Sequence, residues 1–444
     1  MRNKGFTLAC LVLLSGANVA PSRAAEVRVS LQEAKDLALS GNNALLATRE
    51  RALGAHARAD LADRVLWPRV SVNSQWSRTD NAAMVFMGKL TSGVIKSPDF
   101  EPSLLNDPRS RSQLATRLQV EAPLDPFRRH EPSRQASRAA AASADANSRE
   151  YTLDLIHRVT EAYASAALTR ERVGAVDHAL QGAKSREKEV EAQVGEGAAL
   201  RGDLLRVRSR RREREADLAA LIADQSGSLA VLNELLGARG ETTYVPGDLP
   251  HEGALPVEDE AALVAKALTQ RPALDALRLQ AEAAHHSVAA DHRSRLPEIA
   301  VFAQLTDDRG GFSEGRQSYA IGGVLRVSLF DPTKGARQSE ARIAERAAEL
   351  DHLAAIDGVR RAVRNAREQV RARMAALEAA RGGTEEGKEA LRVVQERRRE
   401  GLGTLTDELE ADAAALGAQL REIAAQVELA MAHATLARVT GETK

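Results

Sequence analysis

The histidines near residue 290 are the residues of this chain that could form a metal or catalytic centre, and their spacing argues against one. His285 and His286 occupy adjacent, diverging helix positions, and His292 follows six and seven residues later, which is poor spacing for metal ligands. The sequence contains no Walker loop, no G-x-S-x-G elbow and no H-E-x-x-H motif. We therefore predict no enzyme activity, no cofactor and no metal site.

Charge and composition narrow the class of protein further. Lys and Arg total 62, as do Asp and Glu, so the formal net charge is zero and nothing favours a nucleic-acid partner. The densest basic stretch, 206–214, contains acidic residues and no aromatic residue, which is typical of a solvated helix face. Aromatic residues make up 3% and charged residues 28% of the chain, a composition that favours long helices over a thick core.

The sequence is an internal duplication. Residues 38–47 align with 267–276 at an offset of 229, and the same offset aligns 66–76 with 295–305. Further along, LNELLG at 232–237 aligns with LARVTG at 436–441 at an offset of 204. The two offsets differ because one loop differs in length between the copies. We expect a first repeat over 26–240, a linker over 241–258 and a second repeat over 259–444.

Each copy contains two segments with apolar residues at every second position. The predicted strands cover about 69–77 and 112–122 in the first copy and about 298–305 and 318–329 in the second. Segments of about ten residues with one apolar and one polar face are typical of outer-membrane strands. The few aromatic residues cluster near the strand ends, where a membrane-interface belt would hold them.

The remaining sequence predicts helices with coiled-coil packing. From Leu155 onward, small and apolar residues recur with a 3.5-residue period, and a continuous helix from about Ser133 to Val194 is expected. Such a helix is roughly 90 Å long at 1.5 Å per residue, which suits a structure that crosses a periplasm. Ser30 and Glu33 form the capping-box pattern that predicts the start of the first helix.

The first 25 residues resemble a secretory signal peptide. Arg2 and Lys4 precede an apolar run, and Ser22 and Ala24 give a small-x-small cleavage pattern. The only cysteine, Cys10, lies in that run, so we expect neither a disulfide nor a lipidated mature amino terminus. No other run approaches the roughly 20 apolar residues of a spanning helix, so membrane insertion is expected through the strands.

Four strands are too few to enclose a lumen, so oligomerisation is expected. A dimer would supply eight strands and a filled tube, whereas a three-fold ring would supply twelve strands and a pore. The helices of three copies would then form a tube of the same symmetry next to the barrel.

At this point the chain resembles the TolC-like outer-membrane efflux proteins. The similarity extends from VSLQEAKDLAL at 29–39 to LARVTG at 436–441 and includes WPRVSV, SLFDPTKGARQ at 328–338 and GLGTLTDELEA at 401–411. It implies a mainly α fold with membrane β structure, in which a trimeric twelve-stranded β-barrel continues into a long α-helical barrel. The implied location is the outer membrane of a Gram-negative cell, with the tunnel extending into the periplasm. The implied partners are two further copies, a periplasmic adaptor, an inner-membrane transporter and outer-membrane lipid.

The resemblance also implies which residues act. The turns between the long helices match the adaptor-docking tip of the family, which includes Gly195, Gly197, Leu200, Gly401, Leu402, Gly403, Thr404 and Leu405. Inward carboxylates of the family match Asp407 and Glu410, with Asp203 in the first copy, and would form a periplasmic gate. The alternative for the glycines is simple helix termination, and the alternative for Asp407 is a favourable interaction with the helix dipole.

The function that follows is the outer-membrane channel of a tripartite efflux system. A type I protein secretion channel is the main alternative within the same class, because substrate choice belongs to the inner-membrane pump. A periplasmic coiled-coil scaffold or adaptor would share the heptads, but it would need a β-rich domain and would not need four alternating strands.

Overall fold

The fold is described from a computed structural model of residues 25–239, 242–249, 259–311 and 315–442. The predicted signal peptide, apart from residue 25, and most of the predicted linker lie outside these residues. The helices are α1 (Leu31–Gly41), α2 (Asn43–Asp63), α3 (Ala82–Thr91), α4 (Pro102–Asn106), α5 (Glu131–Gly195), α6 (Arg201–Leu236), α7 (Glu260–Gln270), α8 (Pro272–Arg293), α9 (Lys334–Arg399) and α10 (Leu405–Thr440). The strands are β1 (Ala25–Val29), β2 (Arg69–Thr79), β3 (Arg111–Leu124), β4 (Thr242–Pro246), β5 (Glu298–Arg309) and β6 (Gly315–Arg326).

The duplication is visible element by element. Adding 229 to the bounds of α1 gives those of α7, and adding 204 to the bounds of α6 gives those of α10. Both α6 and α10 end at a glycine in the left-handed conformation, Gly237 and Gly441, which closes the last helical turn. The predicted capping box at Ser30 and Glu33 is present at the start of α1.

The four longer strands form one antiparallel sheet in the order β2-β3-β5-β6. The sheet joins the two repeats because β3 of the first pairs with β5 of the second. The predicted strand over 318–329 is shifted: β6 begins at Gly315 and ends at Arg326. Its partner β5 begins at Glu298, which pairs with Arg326, and Pro297 precedes it, so Val327 and Leu329 have no strand to pair with.

The two faces of the sheet have opposite character. Rows of paired residues on one face are apolar, such as the row Val72, Leu118, Leu305 and Tyr319. The neighbouring row on the other face is polar and consists of Asn73, Arg117, Thr306 and Ser318. The apolar face is open to the surroundings in the single chain, with Tyr319 81% and Ile321 78% exposed.

The long helices pack through the predicted heptad seam. Most of its positions on α5 are buried, including Leu155, Val159, Val176, Leu180 and Val190. One apolar cluster lies among α1, α2, α5 and α6, and a second lies among α7, α8, α9 and α10. None of the helices that the structure describes is long and apolar enough to cross a membrane.

Two features of the fold, the pairing of β1 with β4 and the helices α3 and α4, have no counterpart in the sequence-based prediction. The short strands β1 and β4 pair in parallel, and the buried Tyr163 on α5 donates a hydrogen bond from its hydroxyl to the carbonyl of Val29 at 3.2 Å. The long loop between β2 and β3 contains the helices α3 and α4, whereas β5 and β6 are joined by a short connection. This loop is the main difference between the copies.

Candidate functional site at the hairpin tips

The two turns that join the long helices have the same backbone geometry. Gly197 and Gly401 both have φ of 76°, a left-handed conformation that side chains disfavour. After each glycine, the next amide donates to the carbonyl five residues earlier, Ala198 at 2.7 Å and Leu402 at 2.8 Å. These bonds satisfy carbonyls that the helix end would otherwise leave unpaired. The turns therefore require glycine at Gly197 and Gly401.

The other two predicted tip glycines have different roles. Gly195 is the last residue of α5, and a Cβ atom there would meet nothing within 4 Å. At Gly403 an added Cβ would lie 3.2 Å from the amide nitrogen of Arg398, a tight approach to backbone. Gly195 has neither a positive φ nor a close neighbour, so the turn does not depend on glycine at that position.

The apolar residues of the tip divide into exposed and packed ones. Leu200 is 74% exposed and Leu402 is 76% exposed, although both are large apolar side chains. Leu405 instead packs against the small core cluster that contains Val190, Leu204, Val207 and Leu409. An open groove of about 590 Å³ runs between the two turns. Leu200 and Leu402 are therefore available for a partner, whereas Leu405 supports the tip from inside.

The first turn of α10 is capped by side chains. The Thr404 hydroxyl accepts a hydrogen bond from the amide of Asp407 at 3.2 Å, and the Asp407 carboxylate accepts one from the Thr404 amide at 3.1 Å and one from its hydroxyl at 2.7 Å. These bonds favour the ionised carboxylate and hold the pKa of Asp407 below its ordinary value. Asp407 is exposed, so its local role is a capping box, in line with the helix-terminus alternative.

The other two predicted gate carboxylates lie in different surroundings. Asp203 pairs with Arg206 on its own helix at 3.3 Å, and the Arg206 guanidinium donates to the Thr406 hydroxyl at 3.4 Å. Arg206 thereby connects the beginning of α6 to the beginning of α10. Glu410 is exposed, and within the described part of the chain it forms no ion pair.

Sequence reasoning missed the most deeply buried charges of this region. The Glu408 side chain is only 7% exposed, lies 3.1 Å from Arg186 and also pairs with Arg398. One helical turn further, Asp412 lies 3.8 Å from both Arg186 and Arg214. These five side chains, here named the tip ion cluster, come from α5, α6, α9 and α10. The available signal was the spacing of Glu408 and Asp412 among Leu405, Leu409 and Leu416 on the packed face of α10.

The prediction of a solvated face for residues 206–214 is wrong for part of that stretch. Arg214 is buried, and its Nη2 atom has no hydrogen-bond partner. Arg208 and Arg211 cross to Glu187 on α5 at 3.0 and 2.6 Å. Arginine can reach across a helix pair because its long stem packs on apolar surface while the guanidinium finds a carboxylate.

The three histidines of α8, His285, His286 and His292, contact different partners. His285 lies 2.6 Å from Glu345, and His286 lies 3.8 Å from Glu282. His292 contacts the Gln338 amide at 2.6 Å. Over the residues that the structure describes, no three His, Cys, Asp or Glu side chains are grouped as metal ligands would be.

Comparison with known proteins agrees with this architecture. Residues 263–442 match the model of the family described as outer membrane efflux protein. The chain is 27% identical over 282 residues to the outer membrane efflux protein BepC of Brucella suis biovar 1 (strain 1330). That alignment covers 62% of this chain and 59% of BepC, so the chain spans about three fifths of the length of this curated relative. The second repeat of the chain thus matches the outer membrane efflux protein family.

Solved structures share the fold at low sequence identity. The Campylobacter jejuni CmeC outer membrane channel is 16% identical with a TM-score of 0.78, and the alignment covers 99% of this chain and 94% of that one. The open state of the Neisseria gonorrhoeae MtrE outer membrane channel is 20% identical with a TM-score of 0.72, covering 93% of this chain and 89% of that one. The fold is thus that of the TolC-like channels, and these similarities indicate an outer-membrane location.

Proposed function

We propose that three copies of this chain form the outer-membrane channel of a tripartite efflux system. The observation that carries the proposal is the four-stranded sheet, which has an exposed apolar face, a polar face and two open edges. In this role the chain conducts substrate across the outer membrane and does not transform it. The inner-membrane transporter that joins the channel determines the substrate class.

The open edges favour ring closure by copies of the same sheet. The edge strands β2 and β6 have 11 and 12 residues, so they match in length. Alternation along the sheet makes β2 and β6 run in opposite directions, so β6 of one copy meets β2 of the next as an antiparallel pair. Three copies give twelve strands with no free edge, which also satisfies the backbone groups that lipid cannot.

The two faces give a direct test with neighbouring residues of β6. Ile321 lies in an apolar row with Val70, Val120 and Ala303, while Ala320 lies on the polar face. We expect Ile321→Lys to prevent trimer recovery from the outer membrane, because a lysine in lipid near the midplane costs about 2–4 kcal/mol per copy. Ala320→Lys should insert normally and shift the ion selectivity of the pore toward anions in planar bilayers.

Several results would contradict the channel. Recovery of the wild-type chain as a monomer in the periplasmic fraction would favour a scaffold or adaptor. Equal membrane insertion of Ile321→Lys and Ala320→Lys would mean that the apolar face does not contact lipid. Absence of conductance from a purified trimer would exclude an open duct.

The tips are proposed to dock a periplasmic adaptor that is connected to the inner-membrane transporter. The support is the exposure of Leu200 and Leu402 beside the groove between the turns. We expect Leu402→Asp to abolish substrate export in the native host while trimer yield and thermal melting stay unchanged, since a charge would be buried against the partner. Glu196→Gln, a change at an exposed polar residue next to the first turn, is the control. Normal export by Leu402→Asp at normal expression would refute docking through this turn.

Asp407, Glu410 and Asp203 are proposed to line the periplasmic mouth. Three copies would bring nine carboxylates to one constriction, where they would attract cations and bind divalent ions. We expect Asp407→Ala with Glu410→Ala to lower cation selectivity and divalent block in planar bilayers. Wild-type selectivity in a correctly trimeric double variant would show that these side chains do not face the lumen.

A further inference from the structure

A cavity of about 500 Å³ lies half-way along the molecule, remote from the tips and from the sheet. It is enclosed by the start of α1, the middle of α5 and the last turns of α10, so both repeats contribute to it. His157 on its wall is about 57 Å along α5 from the turn at Gly195, at 1.5 Å per residue. No part of the proposed docking or gating role uses this place.

The cavity contains a lysine that has no acidic partner. Lys35 lines it from α1, and among the described residues no carboxylate forms an ion pair with Lys35. Burial lowers the pKa of Lys35, and the one charge that opposes this effect belongs to Asp36, its neighbour in sequence. The Asp36 carboxylate accepts a hydrogen bond from Gln32 at 3.2 Å. A half-buried ammonium without a counter-ion is costly unless an anion joins it.

A histidine on the same wall has an unused ring nitrogen. The His157 side chain is only 10% exposed, and its Nε2 atom lies 3.3 Å from Glu161 on α5. Its Nδ1 atom is buried and has no hydrogen-bond partner. The other cation that faces this wall, Arg438, is already paired with Asp154 at 2.8 Å. Lys35 and His157 are therefore the groups with capacity for a ligand.

The rest of the lining is largely apolar. Leu31, Leu153, Ile156, Ala430, Ala434 and Ala437 contribute aliphatic surface. An apolar body can rest on this surface while a charged group meets the polar residues, which is the usual composition of a small-molecule site. Inorganic phosphate would leave the aliphatic wall uncovered, and an uncharged apolar molecule would leave Lys35 unpaired.

We propose that this cavity binds a small organic anion, with its acidic group against Lys35 and the free Nδ1 atom of His157 and its apolar body on the aliphatic wall. The ligand would connect α1 of the first repeat to α10 of the second. The site is separate from the docking tips and from the gate carboxylates described above, and it does not depend on which substrate the channel carries.

Anion binding at His157 is coupled to proton uptake. Burial lowers the pKa of His157, Arg438 lowers it further, and the carboxylates of Glu161 and Asp154 on its own helix raise it. His433 from α10, Lys35 from α1, Asp248 after β4 and Glu442 after α10 also line the cavity, and Glu442 is paired with Lys266. A neutral ring protonated at Nε2, which faces Glu161, offers only an acceptor at Nδ1, so an anion must be met by the imidazolium. The anion raises the pKa of His157 in the complex, and affinity should therefore rise as pH falls.

The test uses naphthalene-1-sulfonate, which has an apolar body and a charge that does not titrate. Isothermal calorimetry on the full trimeric protein in a neutral detergent should give saturable binding of one molecule per chain. We expect Lys35→Met to weaken binding about tenfold or more, the loss of a charge-assisted hydrogen bond. Lys388→Met, at an exposed lysine of α9, should bind as the wild type does. Ala434→Leu, which fills the cavity, should abolish binding without affecting trimer yield.

Two further probes each lack one part of the ligand, either its charge or its apolar body. 1-Naphthalenemethanol has the body without the charge, and inorganic phosphate has the charge without the body, so both should bind at least about tenfold more weakly than the sulfonate. Affinity for the sulfonate should be higher at pH 5.5 than at pH 7.5, and this difference should vanish in His157→Gln. Equal binding by Lys35→Met, by Ala434→Leu or by the alcohol overturns the proposal, as does sulfonate binding that is absent or independent of pH in the wild type.

Discussion

The turn between α5 and α6 and the turn between α9 and α10 close with one backbone geometry but start their second helices differently. Thr404 caps α10 and exchanges hydrogen bonds with Asp407. At the equivalent places, 204 residues earlier, α6 has Leu200 and Asp203, and Leu200 forms no side-chain cap. The first tip thus exposes a leucine where the second has a stabilising threonine. Glycine therefore fixes the geometry of both turns, while the residue at the helix cap can differ between them.

The second difference is the sign of the charge that α6 and α10 contribute to the tip ion cluster. At this level α10 supplies the carboxylates of Glu408 and Asp412, whereas α6 supplies Arg214. Arg186 on α5 lies close to both carboxylates. The copies have diverged where they contact each other, so that the hairpin of the first repeat fits the hairpin of the second.

The largest effect is expected from breaking the tip ion cluster. Glu408→Gln should lower the free energy of unfolding by about 3 kcal/mol, because Arg186 and Arg398 would remain buried without their shared counter-charge. Glu410→Gln, two residues along the same helix, alters an exposed carboxylate and should change it by less than about 0.5 kcal/mol. Thermal melting followed by helical circular dichroism measures both. Equal melting of the two variants would mean that the buried charges contribute nothing to holding the hairpins together.

A smaller loss of stability is expected when the glycines that close the two turns are replaced. Gly401→Ala and Gly197→Ala should each destabilise their turn by about 1–2 kcal/mol, since alanine disfavours the left-handed conformation. Gly195→Ala should be neutral or stabilising by up to about 1 kcal/mol, because the residue is helical and its surroundings are open. Hydrogen exchange at the two tips separates these outcomes. If Gly195→Ala raised hydrogen exchange at the tip as much as Gly197→Ala, the positive φ of Gly197 would not explain why the turn needs glycine.

The smallest expected effect is a gain in stability rather than a loss. Leu200→Thr should give α6 the capping box that α10 has, with Asp203 as the partner, and stabilise the first tip by about 1 kcal/mol. The same change removes an exposed apolar side chain, so adaptor binding should weaken while stability rises. Surface plasmon resonance with the immobilised adaptor, run beside a melting curve, measures both quantities. A variant that gained stability and kept full adaptor binding would show that Leu200 is not a contact.

Periodicity and repetition predicted most of the fold. The expected helix over 133–194 corresponds to α5 at Glu131–Gly195, and the alternating segments correspond to the strands of the four-stranded sheet. These patterns are local, so a single sequence contains them. The pairing of β1 with β4 joins five-residue segments far apart in the chain, and α3 and α4 lie in a loop without a repeated counterpart. Neither feature has a periodic signal.

The candidate site was harder to predict, because which face of a helix turns inward depends on its neighbours. The family resemblance selected Asp407 and Glu410, and both are exposed in the single chain. Packing of α10 turns Glu408 and Asp412 toward Arg186 instead. The glycines were easier, since Gly197 and Gly401 mark the ends of long helices, but the sequence did not separate them from Gly195. Only the backbone angles do so.

The unpaired edges of the sheet have a consequence for biogenesis. A newly exported chain presents two long strands with free amides and carbonyls and an apolar face that water does not favour. Each edge will pair with any available strand, including the wrong one, until the ring is complete. In the proposed trimer, closure of the three-fold ring would therefore compete with misassembly, and the yield would depend steeply on the local concentration of the chain. The helices have apolar clusters of their own, so in the proposed trimer they would fold first and align the three sheets before these reach lipid.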